Sequence, residues 1–161
     1  MMRIKIRKNR MKKIADGLAL LAVTAWVGAL WGIGYVAVPV LFQTLPDRML
    51  AGLLAGKMFA LVAYIGIASA CYLLAYQLNA SGRAAFRQTV FRVMAVMLLL
   101  AMVGQFGIQP IMADLKAQAL PTDVMHSAFA DRFRMLHGVS SILYLVQSLL
   151  GALLVLKARR C

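Results

Sequence analysis

Residues 17–46 read GLALLAVTAWVGALWGIGYVAVPVLFQTLP, thirty positions without a charged side chain. Roughly 20 apolar residues in a helix cross a hydrocarbon core of about 30 Å. The run can therefore span a bilayer, with length left over for a tilt, a bend or an extension beyond it. Pro39 lies inside it and predicts the bend, because proline withholds a backbone N–H and crowds the preceding turn. Three more uncharged runs follow, 58–82, 93–113 and 135–156. Of the 161 residues 63% are apolar and the mean hydropathy is +0.80, more apolar surface than a water-soluble domain of this size hides.

Eighteen Lys and Arg against five Asp and no Glu give a net charge of +13. Thirteen of these cations fall in residues 3–13, 83–92 and 157–160, flanking the apolar runs. They form no basic face interleaved with stacking aromatics, which sets nucleic acid aside as a partner. The other two connections hold five positive and four negative charges. Positive loops stay on the cytoplasmic side, so the expected fold is an all-α, integral membrane four-helix bundle with both termini cytoplasmic. Its expected setting is a bacterial cytoplasmic (inner) membrane. The expected organisation is a basic cytoplasmic leader over 1–13 and a transmembrane domain over 14–160, with helices at about 15–45, 48–79, 86–113 and 123–157. The leader reads as a solvated arm on anionic headgroups, with Met1, Met2 or Met11 as its start. Cys71 and Cys161 make neither a disulfide framework nor a metal spacing.

Small residues recur at helical spacing in the first two helices. Gly28 and Gly32 lead through Tyr35 to Pro39 and Phe42, and Gly52 and Gly56 lead through Phe59 and Ala63 to Gly66 and Ala70. These stripes predict an antiparallel hairpin packed through Gly28, Gly32, Pro39, Gly52 and Gly56. Asp47 is the expected N-cap of the second helix. In the third helix Met94, Leu98, Met102, Gln105, Gln109 and Met112 share a face. Two glutamines facing lipid are costly, so they belong inside. Thioethers can bind copper(I), but eleven methionines scattered along the chain read as core filler. Residues 113–134 read as a polar loop. Pro121-Thr122-Asp123 then predicts a helix start, with Met125, Phe129, Phe133 and Leu136 on one apolar face running into the membrane.

His137 is the one histidine inside an apolar run, and Ser141, Tyr144, Ser148 and Gly151 continue its stripe, with Ser140 and Gln147 at the edge. The candidate ligand or interior polar cluster is therefore His137, Ser140, Ser141, Tyr144, Gln105 and Gln109, with His137 bridging Gln109 and Ser140 or contacting a ligand. No catalytic set, metal set or cofactor is expected. There is no Ser-His-carboxylate arrangement, no phosphate loop and no carboxylate in the uncharged runs. His126 stands eleven residues from His137, about 16 Å along a continuous helix, too far to share an ion within it.

Trp26-Val27-Gly28, Pro39 to Phe42, Ala51-Gly52 through Gly56 to Phe59, Ile108-Gln109-Pro110, and above all Phe133-Arg134-Met135-Leu136-His137-Gly138-Val139-Ser140-Ser141 resemble the transmembrane protein 205 family. The resemblance covers most of the chain from Trp26 onward. It implies a four-helix membrane protein without an established biochemical activity, whose animal members are associated with platinum-drug resistance and with export or secretion. Many eukaryotic members carry an acidic residue where this chain has Gln109, which weakens the transfer of any metal-handling role. A fainter similarity, limited to the Trp-Val-Gly start and the size, links the chain to copper-resistance D-type and HemJ-type proteins. That similarity implies the alternative, a haem- or copper-binding membrane protein with His137 as a ligand. The expected function is thus non-enzymatic, in export, resistance or partner binding. The expected partners are the lipid bilayer and a second copy of the chain or another membrane protein.

Overall fold

The computed structural model describes residues 2–158. In chain order these form α1 (Met2–Trp31), a wide π-helical turn (Gly32–Ala37), α2 (Val38–Thr44), α3 (Arg48–Ser81), a 3₁₀ turn (Gly82–Arg87), α4 (Thr89–Met102), a second wide turn (Val103–Ile108), α5 (Gln109–Ala119), a 3₁₀ turn (Val124–His126) and α6 (Ala130–Ala158). Four continuous stretches, Asn9–Thr44, Arg48–Arg87, Thr89–Ala119 and Ala130–Lys157, are long and apolar enough to cross a membrane. Their outer faces are as apolar as their interior. Leu20, Leu61, Leu99 and Ile142 are 62–64% exposed, an arrangement that a water-soluble bundle avoids and a hydrocarbon solvent favours.

Pairwise contacts give the topology. Trp26 lies against Gly66, and the Tyr72 hydroxyl donates to the Ala15 carbonyl at 3.1 Å, so α1 and α3 run antiparallel. Gly151 of α6 sits on Val27 of α1, and Gln147 of α6 reaches α4. The four spans form an up-down-up-down ring in which the first touches the second and fourth, and the third touches the same two. The N-terminal end, the Gly82–Arg87 turn and the end of α6 share the basic end. Residues 45–47 and 120–129 make the far end. One core, built on Val23, Trp26, Leu30, Leu73, Met97 and Leu154, fills the bundle. A second, built on Ile108, Met112, Leu115, Ala119, Val124 and Phe133, joins α5 to α6 at the far end.

Asp47 caps α3 as expected, its carboxylate accepting from the Met49 and Leu50 N–H groups at 2.8 and 3.1 Å. Gly82 ends the same helix with φ of +56°, a conformation that favours glycine. Elsewhere the structure corrects the sequence reading. The basic leader is no separate arm, because its described residues are the first turns of α1. Extending a formed helix avoids the cost of nucleation. The expected polar loop over 113–134 begins with helix, α5 running on to Ala119. Asp123 caps only the short 3₁₀ turn, and extended backbone at Ser127 separates it from α6. The amphipathic entry is therefore not continuous. Phe129, Phe133 and Leu136 do share the second core, whereas Met125 is exposed. Met1, Arg159, Arg160 and Cys161, proposed as start, positive stop and tail thiol, lie outside the described residues.

The expected glycine packing is also placed differently. A side chain added at Gly28, Gly32 or Gly56 would meet nothing within 4 Å, and at Gly52 only the Lys116 ammonium at 3.9 Å. The backbones are approached instead at Gly34, Gly66 and Gly151. A spacing of four says that small residues share a face. It does not say which face the neighbouring helix takes.

Candidate functional site

Two proline-marked joints organise the site. In the first span the Val38 N–H donates to the Ile33 carbonyl, one residue further back than in an α-helix, and Pro39 has no N–H to offer. The Gly34 carbonyl therefore receives a donor from neither residue 38 nor residue 39. The third span repeats this arrangement. The Gln109 N–H reaches Gly104, and Pro110 leaves the Gln105 carbonyl in the same position. Each wide turn ends two residues before its proline.

Polar side chains of α6 hold the bundle together beside the first joint. The Tyr144 hydroxyl donates to the Leu30 carbonyl at 2.5 Å, and its ring meets Tyr35 and Phe59 edge-on, with centroids 6.3 and 5.1 Å away. The Trp31 indole N–H donates to the Ser148 hydroxyl at 2.8 Å, and Gln147 donates its amide N–H to the Met97 carbonyl at 2.9 Å. Each of these bonds crosses between helices, which makes α6 the strut that ties the first span to the third. At the second joint Gln105 donates weakly to Tyr64 of α3 at 3.4 Å, and its amide oxygen is buried without a partner.

The expected polar cluster is thus divided. Tyr144 is interior, and so are Gln147 and Ser148, which the sequence reading placed on or beside the stripe but left out of the cluster. His137 and Ser141 are exposed. The Ser141 hydroxyl donates to the His137 carbonyl in its own helix at 2.8 Å, and the imidazole of His137 stacks on Phe133 at 6.0 Å. Among the described residues His137 makes no side-chain hydrogen bond to Gln109 or Ser140, so the bridge is not formed. Gln105 and Gln109 are half-buried on the third span and make no hydrogen bond to His137. His126 is exposed on the turn before α6, with a break in the helix between the two histidines. Met94 and Met112 lie in different cores and Met102 faces outward, so the thioethers do not converge. No group of three or more His, Cys, Asp or Glu able to hold a metal occurs among the described residues.

His137 is uncovered because the first span leaves it. No residue of 32–44 is buried, and α2 stays beside α3 with no close backbone approach to α6. Beside the joint an open groove of about 500 Å³ is lined by Trp31, Tyr35 and Val36 on one side and Ser148, Leu149 and Ala152 on the other. The equivalent segment of the third span is braced. The α5 residues Met112, Leu115 and Ala119 are buried, and Lys116 donates to the Gly52 carbonyl at 3.2 Å with its ammonium 5.4 Å from the centre of the Phe133 ring. Lys116, which the sequence reading assigned to a polar loop, is a tie between three spans. An exposed His137 with only Phe133 beside it should tolerate truncation. His137→Ala is expected to change stability by less than about 0.5 kcal/mol, and Gln147→Leu to cost about 1 kcal/mol or more, both read from thermal unfolding in detergent.

An all-α chain with four apolar spans, tied internally by side-chain to backbone bonds and split at one end, is a multi-pass membrane protein by its fold. It belongs to the DUF4149 family, a domain of unknown function, whose profile matches residues 21–121. That segment runs from α1 through α5, and α6 with His137 and Tyr144 lies beyond it. No curated protein and no solved structure matches the chain.

Proposed function

We propose that this is a non-enzymatic membrane protein, with both termini cytoplasmic, that binds an amphiphilic small molecule at its far end and takes part in its export. The observation that carries this reading is the uncovered polar face of α6. The His137 imidazole stands exposed near the far-end start of the fourth apolar run, where α2 has turned away, while the exposed Ser141 hydroxyl one turn on is bonded to the His137 carbonyl. A polar group facing hydrocarbon is unfavourable unless something polar meets it. A molecule with a polar head and an apolar tail, entering sideways from the bilayer, satisfies both the face and the groove beside Trp31 and Tyr35. The likeness of Phe133 to Ser141 to the transmembrane protein 205 family supports a role in export or resistance. The thirteen cations of the basic stretches support cytoplasmic placement of that end.

In nanodiscs a phosphatidylglycerol bearing a photoreactive diazirine is expected to label residues 133–144 saturably. His137→Leu/Ser141→Leu should weaken that labelling about tenfold, equivalent to ~1.4 kcal/mol. Labelling that rises linearly and spreads evenly over all four spans would overturn the reading. For orientation, Asp123→Cys should react with an impermeant thiol reagent in intact cells while tags on both termini stay inaccessible. The reverse pattern would invert the topology.

A further inference from the structure

We propose that α2 is a hinged flap that closes over the exposed face of α6, seating Val38 against Ser141 and Phe42 against His137. The inference gives the regulation of the site proposed above and rests on that reading for its purpose, though not for its geometry.

The register comes from contacts already made. Trp31 bonds Ser148 and Tyr35 meets Tyr144, so along this antiparallel pair four residues forward on the first span correspond to four residues back on α6. Matching the two chains residue for residue in the same antiparallel sense places Val38 level with Ser141 and Phe42 level with His137, and the swing at the wide turn would have to supply the rotation that faces them. These partners are now apart, and Phe42, His137 and Ser141 are all exposed. Phe42 would extend the aromatic stack of Phe133 and His137, and Val38 would cover the hydroxyl.

The mobility comes from the joints. At seven residues α2 is a rod about 10 Å long. It hangs between the wide turn, where the Gly34 carbonyl has lost its helical donor, and a link with extended backbone at Leu45 and Asp47 on either side of a bend at Pro46. Swinging it gives up its packing on α3 but uncovers no buried residue, since none of 32–44 is buried. On the other side of the joint α1 is anchored by Trp26, Val27 and Leu30, all buried, and Tyr144 holds the Leu30 carbonyl as a fixed fulcrum. The third span serves as an internal control. The same backbone lesion at Pro110 is followed by α5, which is packed into the second core and tied by Lys116. A wide turn with a proline is therefore not sufficient for motion. The first joint differs in that the segment beyond it buries no residue and rests on α3 alone.

With Cys71→Ser and Cys161→Ser as background, the pairs Val38→Cys/Ser141→Cys and Phe42→Cys/His137→Cys should crosslink under mild oxidation in nanodiscs. The lipid-facing pair Val40→Cys/Ile142→Cys should not. Crosslinking of the first two pairs no faster than of the third would overturn the flap. Hydrogen exchange on the unaltered chain gives an independent reading, with amides of 38–44 expected to exchange faster than those of 112–119, and equal protection counting against it. The two proposals fail separately. Crosslinks without saturable lipid labelling leave the flap and remove the ligand, whereas saturable labelling without crosslinks does the reverse.

Discussion

Gly66→Val should leave little or no folded protein, and Gly66→Ala should cost about 1–3 kcal/mol, the range for overpacking a filled core. A Cβ at Gly66 would run into the indole of Trp26, against its Nε1 and at 3.0 and 3.1 Å from Cδ1 and Cε2. Trp26 cannot retreat. It is 1% exposed and sits in the main core with Leu30 and Leu73. Gly28→Ala is the control, two residues beyond Trp26 in α1, where the added methyl meets nothing within 4 Å. That change should be neutral or should stabilise the helix by up to about 1 kcal/mol, since alanine loses less backbone freedom than glycine. Thermal unfolding in one detergent compares the two. If both substitutions behaved alike, the first two spans would not meet at Trp26 and Gly66.

The second large effect is expected at Gly34. A Cβ there would fall onto the Tyr144 ring, 2.5 Å from Oη and 2.7 Å from Cζ. Gly34→Ala should therefore cost about 2 kcal/mol or more, by displacing Tyr144 from the Leu30 carbonyl and from Phe59 as well as by the clash itself. Tyr144→Phe alone, which keeps the ring and loses the hydrogen bond, should cost about 1 kcal/mol. The decisive variant is Gly34→Ala/Tyr144→Ala. Truncating the ring makes room for the methyl, so the double variant should be more stable than the sum of the single losses by about 1 kcal/mol or more. Strict additivity would mean that ring and glycine are not in contact.

Both predictions concern glycines that pattern reading could not rank. Gly66 stood in the expected stripe of the second helix, yet Gly52 and Gly56 were favoured because they form the GxxxG spacing, and an added Cβ would meet nothing at Gly56 and only the Lys116 ammonium at Gly52. Gly34 belonged to no stripe, because the count of 3.6 residues per turn fails across a wide turn. The signal for that turn was present in the glycines just ahead of each proline, Gly32 and Gly34 before Pro39, and Gly104 and Gly107 before Pro110. The helical stripe from His137 to Gly151 is likewise one face in sequence and two in structure. Its lower half is covered by α1 and α4, and its upper half is open because α2 departs.

The amino-acid sequence by itself determined the apolar character, the number of spans, the basic and neutral ends, the Asp47 cap and an irregularity of the first span next to Pro39. All of these are local properties: hydropathy over some twenty residues, charge next to an apolar run, or the chemistry of one residue type. Only the tertiary structure decided which glycines meet a neighbour, that Tyr144, Gln147 and Ser148 bond the other helices while His137 and Ser141 do not, and that Lys116 braces α5 while α2 rests on α3 alone. Those outcomes depend on how each helix is rotated about its axis and where its partner bends. That rotation is set by the fit of Trp26 and Tyr144 against glycines far away in the chain, a long-range condition that no local window of residues contains.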